Sequence, residues 1–150
     1  MDSVVYREFQ SADSEAIAAL IKRLYLEDPE EKLISNEKIS RTFRELRDHP
    51  CKGVIFVVEL KGEIAGYALL LNIWSNEFGG NIVNIDELYV KKEFREKGIA
   101  TNFITYLATS KFHNAVALSL ETTPSNKKAR SLYERLCFKQ NKNTFFIREL

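Results

Sequence analysis

The chain has 150 residues, 45% of them hydrophobic and 29% charged, a balance that excludes a disordered polymer and suits one folded domain over 1–150. Twenty-two Lys and Arg against 21 Asp and Glu leave a net charge of +1, so no overall field draws the molecule to nucleic acid or to an anionic membrane. The start, MDSVVYREF, lacks a leader pattern and no uncharged apolar run of about 18 residues occurs, so a cytoplasmic protein is expected.

A first strand is predicted over 4–9. After it, Ile17, Leu20, Ile21 and Leu24 recur with the spacing of one helix face. LEDPEE ends that helix at Pro29, and a second, from about Asn36, carries Ile39, Phe43 and Leu46 until His49-Pro50 stops it. Residues 54–60 and 63–74 are rich in β-formers and joined by Lys61-Gly62, which predicts a hairpin. SNEFGGN (75–81) reads as a loop before a strand over 82–90. A helix over about 98–112 follows, with Ile99, Phe103, Tyr106 and Leu107 on one side. Then come a strand over 115–121, a helix over 125–137 on Ala129, Leu132, Tyr133 and Leu136, and a last strand over 144–150. The order β-α-α-β-β-β-α-β-α-β mixes a hairpin with a β-α-β crossover, which predicts an α/β fold of the mixed, α+β-like kind.

Cys51 and Cys137 are far apart, and His49 and His113 stand alone. No metal site is expected; both cysteines are expected as unpaired packing residues and both histidines at element ends.

The densest chemistry lies where the strand over 82–90 gives way to a helix. RxxGxA at Arg95, Gly98 and Ala100 puts small residues at a helix start, where unpaired N–H groups and the positive dipole end favour an anion; Arg95 and Lys97 add charge. Neither G-x-x-x-x-G-K-[ST] nor G-x-G-x-x-G occurs, which disfavours a P-loop nucleotidase and a dinucleotide dehydrogenase.

With its context, "IDELYVKKEFREKGIATNF" followed by "LETTPSNKKARSLYERLCF", this turn resembles the GNAT superfamily of acyl-CoA-dependent N-acetyltransferases. The first half fits [R/Q]-x-x-G-x-[G/A], approached by Val90, Glu93 and Phe94. The second fits N-x-x-[AS]-x-x-[LF]-Y-x-[RK]-x-G-F at Asn126, Ala129, Leu132, Tyr133, Arg135 and Phe138, with Cys137 where the family usually has Gly. The resemblance implies a single mixed, mostly antiparallel sheet splayed between its fourth and fifth strands. It implies acetyl-CoA held by Arg95, Glu96, Lys97, Gly98, Ile99, Ala100 and Thr101, by the strand edge at Leu88, Tyr89 and Val90, and by Asn126 and Arg130. It also implies a carboxylate base at Asp86 or Glu87, with Glu87 favoured, and Tyr133 as general acid. A phenol of pKa about 10 protonating a thiolate of pKa about 8.5 runs uphill by roughly 2 kcal/mol, so Tyr133 is expected to stabilise more than it protonates. As neighbours in a strand, Asp86 and Glu87 should point to opposite faces.

The acceptor is expected to be a small cationic amine, bound by Tyr25, Glu27 and Asp28 at the end of the first helix and by Trp74, Glu77 and Phe78 before the coenzyme strand. A protein Lys or N-terminus as acceptor, or a GNAT fold that only senses acyl-CoA, stays open. Monomer and homodimer are both open, the latter through the edge of the last strand.

Overall fold

In a computed structural model that describes residues 3–27 and 33–150, five strands form one sheet in the order β1-β2-β3-β4-β5. These are β1 (Val4–Glu8), β2 (Gly53–Leu60), β3 (Glu63–Ser75), β4 (Gly80–Val90) and β5 (Ala117–Leu120). The first three pairings are antiparallel and the last is parallel. Four helices cover the sheet: α1 (Ser14–Glu27), α2 (Asn36–Asp48), α3 (Ile99–Ser110) and α4 (Lys127–Arg135).

The two faces are built from alternate strand positions. On one, Ile17, Leu20 and Ile21 of α1 and Ile39 of α2 pack on Ile55, Val57, Tyr67, Leu69 and Tyr89. On the other, Phe103, Ile104 and Leu107 of α3 pack on Phe56, Ala68, Leu70, Val83 and Ile85, joined by Tyr133 and Leu136 at α4. The predicted apolar face of α3 needs one correction, since Ile104 is buried where Tyr106 is partly exposed.

Polar anchors fix where α1 begins. The Arg7 guanidinium donates to both Asp13 carboxylate oxygens at 2.8 Å and to Glu59 Oε1 at 2.8 Å, so the buried Asp13 is paired. That pairing, with the backbone N–H of Gln10, holds the Asp13 carboxyl below the usual carboxylate range. The hairpin at Lys61-Gly62 is as predicted, both residues having positive φ, 56° and 79°, as a two-residue turn of primed type requires.

Two expectations fail. Residues 144–150 form no strand, and Phe145, Phe146 and Ile147 are exposed. Their apolar pattern suits a strand, but a strand also needs an edge that receives it, and no pairing beyond β5 exists among the described residues. Edge-to-edge pairing through a formed last strand therefore has no basis here. Both cysteines are free and exposed rather than packed. Cys137 takes the left-handed conformation, φ 67°, just past α4. There its N–H donates to Glu134 O and the Phe138 N–H donates to Tyr133 O, both at 3.0 Å. This is the paired closure that a glycine usually makes.

Candidate active site

The sheet opens where its parallel pair ends. β5 pairs with β4 from Ile82↔Ala117 to Ile85↔Leu120 and no further, while β4 runs on to Val90 beside β3. Ser119 Oγ donates to Asn84 Oδ1 at 2.9 Å and clasps the closed end of the fork. Beyond it, residues 86–90 have no strand neighbour on the β5 side among the described residues, and Asp86 and Glu121 face each other's charge across the gap.

A bulge sits at the same point. β4 pairs Leu69↔Glu87 and Leu70↔Ile85, so Asp86 is an extra residue without a β3 partner. The extra residue undoes the expected opposition of Asp86 and Glu87. Glu87 is turned to the α1 face, where Tyr67 Oη donates to it at 2.7 Å and Tyr25 Oη at 3.1 Å. Asp86 lies within 3.5 Å of the Asn84 amide on that same strand. Loss of solvent, then the nearby Glu121 charge, raises the Asp86 carboxyl above its ordinary value. Tyr67 is buried, and with Glu87 beside it its phenol is raised far above the ordinary range, so it stays a donor.

After β4 a short 3-10 turn (Lys92–Phe94) leads to Gly98, the N-cap of α3, at φ 74°. The described cap bond runs from Asn102 N–H to Gly98 O at 2.9 Å, and the amides ahead of it have no carbonyl one turn back. A β-carbon built on Gly98 would meet only Asn102 Nδ2, at 3.8 Å. The helix mouth is therefore open, and glycine is there for its backbone conformation. Lys91 and Lys97 lie 6.0 and 5.4 Å from the centre of the Phe94 ring. Glu96 pairs with Lys128 of α4 at 2.7 Å. Ile99, Tyr89 and Leu88 have their side chains in the apolar clusters, which leaves the main chain of these three as what they present at this edge.

Match to the Acetyltransferase (GNAT) family covers residues 16–138. The chain belongs to that family. An uncharacterized N-acetyltransferase of Bacillus subtilis (strain 168), YhfO, is 29% identical over 130 residues, 86% of this chain and 85% of that one. A possible acetyltransferase from Clostridium difficile 630 superposes with a TM-score of 0.84 at 25% identity, covering 98% of this chain and 97% of that one. AAC(6′)-Iy, solved with the bisubstrate analogue CoA-S-monomethyl-acetylneamine, superposes with a TM-score of 0.80 at 17% identity over 99% of each chain. The splayed, mostly antiparallel sheet expected of a GNAT protein is the one observed.

Other predicted site residues fall in different places on this GNAT scaffold. Tyr133 is half-buried against Phe138, ring centres 5.9 Å apart, and burial raises its phenol. Asn126 spends its side-chain oxygen on the Ala129 N–H at 3.1 Å and caps α4, and Arg130 donates to Gln140 Oε1 at 3.2 Å. Tyr25 joins Glu87, whereas Asp28 lies outside the described residues. Trp74, Glu77 and Phe78 are at the far tip of the β3–β4 hairpin. Trp74 pairs with Asn81, and at 3.3 Å per residue Asn81 is about 20 Å along β4 from Glu87. The structure does not bring those three to the fork. Their aromatic and acidic character gave the expectation, and strand length removes them. Glu121, which sequence reasoning passed over, stands at the fork because the register of β5 ends one residue before it.

The residues present suit a coenzyme A thioester. An open helix mouth for the diphosphate and an unpaired stretch of β4 for an amide-bearing arm lie end to end along the chain.

Proposed function

We propose that this GNAT protein transfers the acetyl group of acetyl-CoA to the primary amine of a small cationic molecule by direct attack in a ternary complex. The observation that carries this is the fork itself, a carboxylate-lined gap between β4 and β5, with the glycine-opened start of α3 following β4 along the chain. When bound, acetyl-CoA supplies an activated thioester; the chain supplies orientation and proton handling.

An alkyl ammonium of pKa near 10.4 must lose a proton before attack, at a cost of about 4–5 kcal/mol at neutral pH. Asp86 is the better base of the pair. Its carboxyl is raised by desolvation and by Glu121, closer to the working pH, while Glu87 is engaged by hydrogen bonds from two phenols that orient it. Glu87, oriented by Tyr25 and Tyr67, is assigned to hold the acceptor's charge. Main-chain N–H groups of β4 beside the bulge are assigned to donate to the thioester oxygen as it gains charge. Tyr133, whose raised phenol gives up its proton reluctantly, is assigned to donate a hydrogen bond to the departing sulfur. The carboxylates at the fork favour a cationic acceptor, and the same fold in AAC(6′)-Iy accommodates an acetylneamine-bearing analogue.

Free thiol release from acetyl-CoA, measured over a panel of polyamines, aminoglycosides, amino-acid derivatives and lysine peptides, tests the proposal, with mass spectrometry locating the acetylated nitrogen. Release with a small polyamine or aminoglycoside is expected. Release with peptides alone would move the acceptor to proteins, and coenzyme binding without release to any amine would make the protein a sensor.

A further inference from the structure

α1 and β4 exchange a crossed pair of tyrosines and glutamates. Tyr25 of α1 donates to Glu87 of β4 at 3.1 Å, and Tyr89 of β4 donates to Glu27 of α1 at 2.9 Å. Residues two apart in a strand share a face, so Glu87 and Tyr89 both meet α1. The first bond belongs to the carboxylate pair at the fork. The second leads elsewhere, because the other oxygen of Glu27 accepts from Arg95 Nη2 at 2.6 Å.

Arg95 is thereby held on three sides. Its Nε donates to Val90 O at 2.8 Å, its Nη2 to Glu27, and its guanidinium carbon lies 5.3 Å from the centre of the Tyr89 ring. Its remaining terminal nitrogen, Nη1, has no hydrogen-bond partner among the described residues, so one edge of the planar fork is left for an oxyanion. Lys92 Nζ stands 3.9 Å from Glu27. Partial burial alone would raise the Glu27 carboxyl, but the Arg95 and Tyr89 hydrogen bonds outweigh it and hold the group below the usual carboxylate range, ionised at neutral pH.

We propose that Glu27 is a positioning residue for the coenzyme loop, fixing Arg95 so that its free edge meets the diphosphate, rather than a reader of the acceptor amine. This rests on acetyl-CoA binding at the loop. Glu27 and Arg95 are each about one-third exposed, at 31% and 37% of the side chain, and an ion pair so open to solvent contributes little to folding. The orientation of Arg95 is the larger effect of the contact, since a freely rotating guanidinium must be ordered again at each binding event.

The test is calorimetric titration of coenzyme A, without acceptor, into the wild type and the Glu27→Gln, Glu27→Asp, Arg95→Gln and Glu27→Gln/Arg95→Gln variants. Thermal melts confirm folding, and acceptor KM is measured at saturating acetyl-CoA. Glu27→Gln is expected to weaken coenzyme binding about 3- to 10-fold with an unchanged melt and unchanged acceptor KM. Glu27→Asp, charged but too short, should fall between it and the wild type. The double variant should bind no worse than Arg95→Gln alone, as coupled residues do. Unchanged or tighter coenzyme binding in Glu27→Gln, additive losses in the double variant, or a rise in acceptor KM alone would overturn the assignment. A wild type that binds no coenzyme A would instead remove the reading beneath it.

Discussion

Replacing Gly98 with alanine separates folding from coenzyme binding at a single methyl group. In the apo protein the added carbon meets only Asn102 Nδ2, at 3.8 Å, so overpacking contributes nothing. What remains is backbone strain. At φ 74°, an L-residue in the left-handed region costs about 1–2 kcal/mol. The stiffer unfolded chain gives back about 0.4–1 kcal/mol. The net is about 1 kcal/mol of destabilisation, which for a chain this long is a fall of roughly 2–4 °C in Tm. The same methyl stands at the open mouth of α3, where a diphosphate has to approach the main chain. Affinity for coenzyme A should therefore fall at least about tenfold, or about 1.4 kcal/mol, out of proportion to the loss of stability. A melt and a calorimetric titration on the same preparation provide both numbers. A folded Gly98→Ala protein that binds coenzyme A as the wild type does would refute the placement of the diphosphate, and a loss of more than about 10 °C would refute the strain-only account.

The remaining predictions concern the carboxylates, the phenol and the closure of α4. Asp86→Asn should abolish the acidic limb of the kcat/KM profile, a limb that in the wild type lies above the usual carboxylate range, whereas Glu87→Gln should keep the limb and raise acceptor KM; the reverse pattern would exchange their roles. A carboxyl raised on folding binds more protons in the native state, so its ionisation works against stability as pH rises through the folded value. Melts should therefore show Asp86→Asn gaining on the wild type at pH 8 relative to pH 4. Tyr133→Phe should lower kcat on the order of 100-fold with coenzyme affinity unchanged by calorimetry, and undiminished turnover would remove the phenol from the chemistry. Cys137→Gly, which relieves a non-glycine residue at φ 67°, should stabilise the protein by about 1 kcal/mol, read as a rise of roughly 2–4 °C in Tm.

Local chemistry was legible in the sequence where it depends on neighbours along the chain. Gly98 after a basic turn marked an open helix start, Lys61-Gly62 marked a hairpin, and the spacing of Ile17, Leu20 and Ile21 marked a buried helix face; all three stand in the structure. What eluded a linear reading was partnership. Glu27 and Arg95 are 68 residues apart, and a sequence displays the charge of each but not the bond between them. The bulge at Asp86 has no signature in Ile-Asp-Glu-Leu, yet it decides which face Glu87 takes. The cap that the Asn126 oxygen places on α4 was not read either, although an Asn just before a helix is a natural cap. The run over 144–150 has the apolar character of a strand without the neighbour that would make it one.

Where β5 turns away, β4 is left with an unsealed seam of main-chain donors and acceptors in the middle of the sheet. Such groups need water or a guest. A seam of this kind has no side-chain alphabet, and any residue that keeps the strand extended preserves it. With the acyl donor held there, as proposed, its recognition is insulated from substitution, while the walls of the gap remain free to drift toward a new nucleophile without forfeiting the old donor.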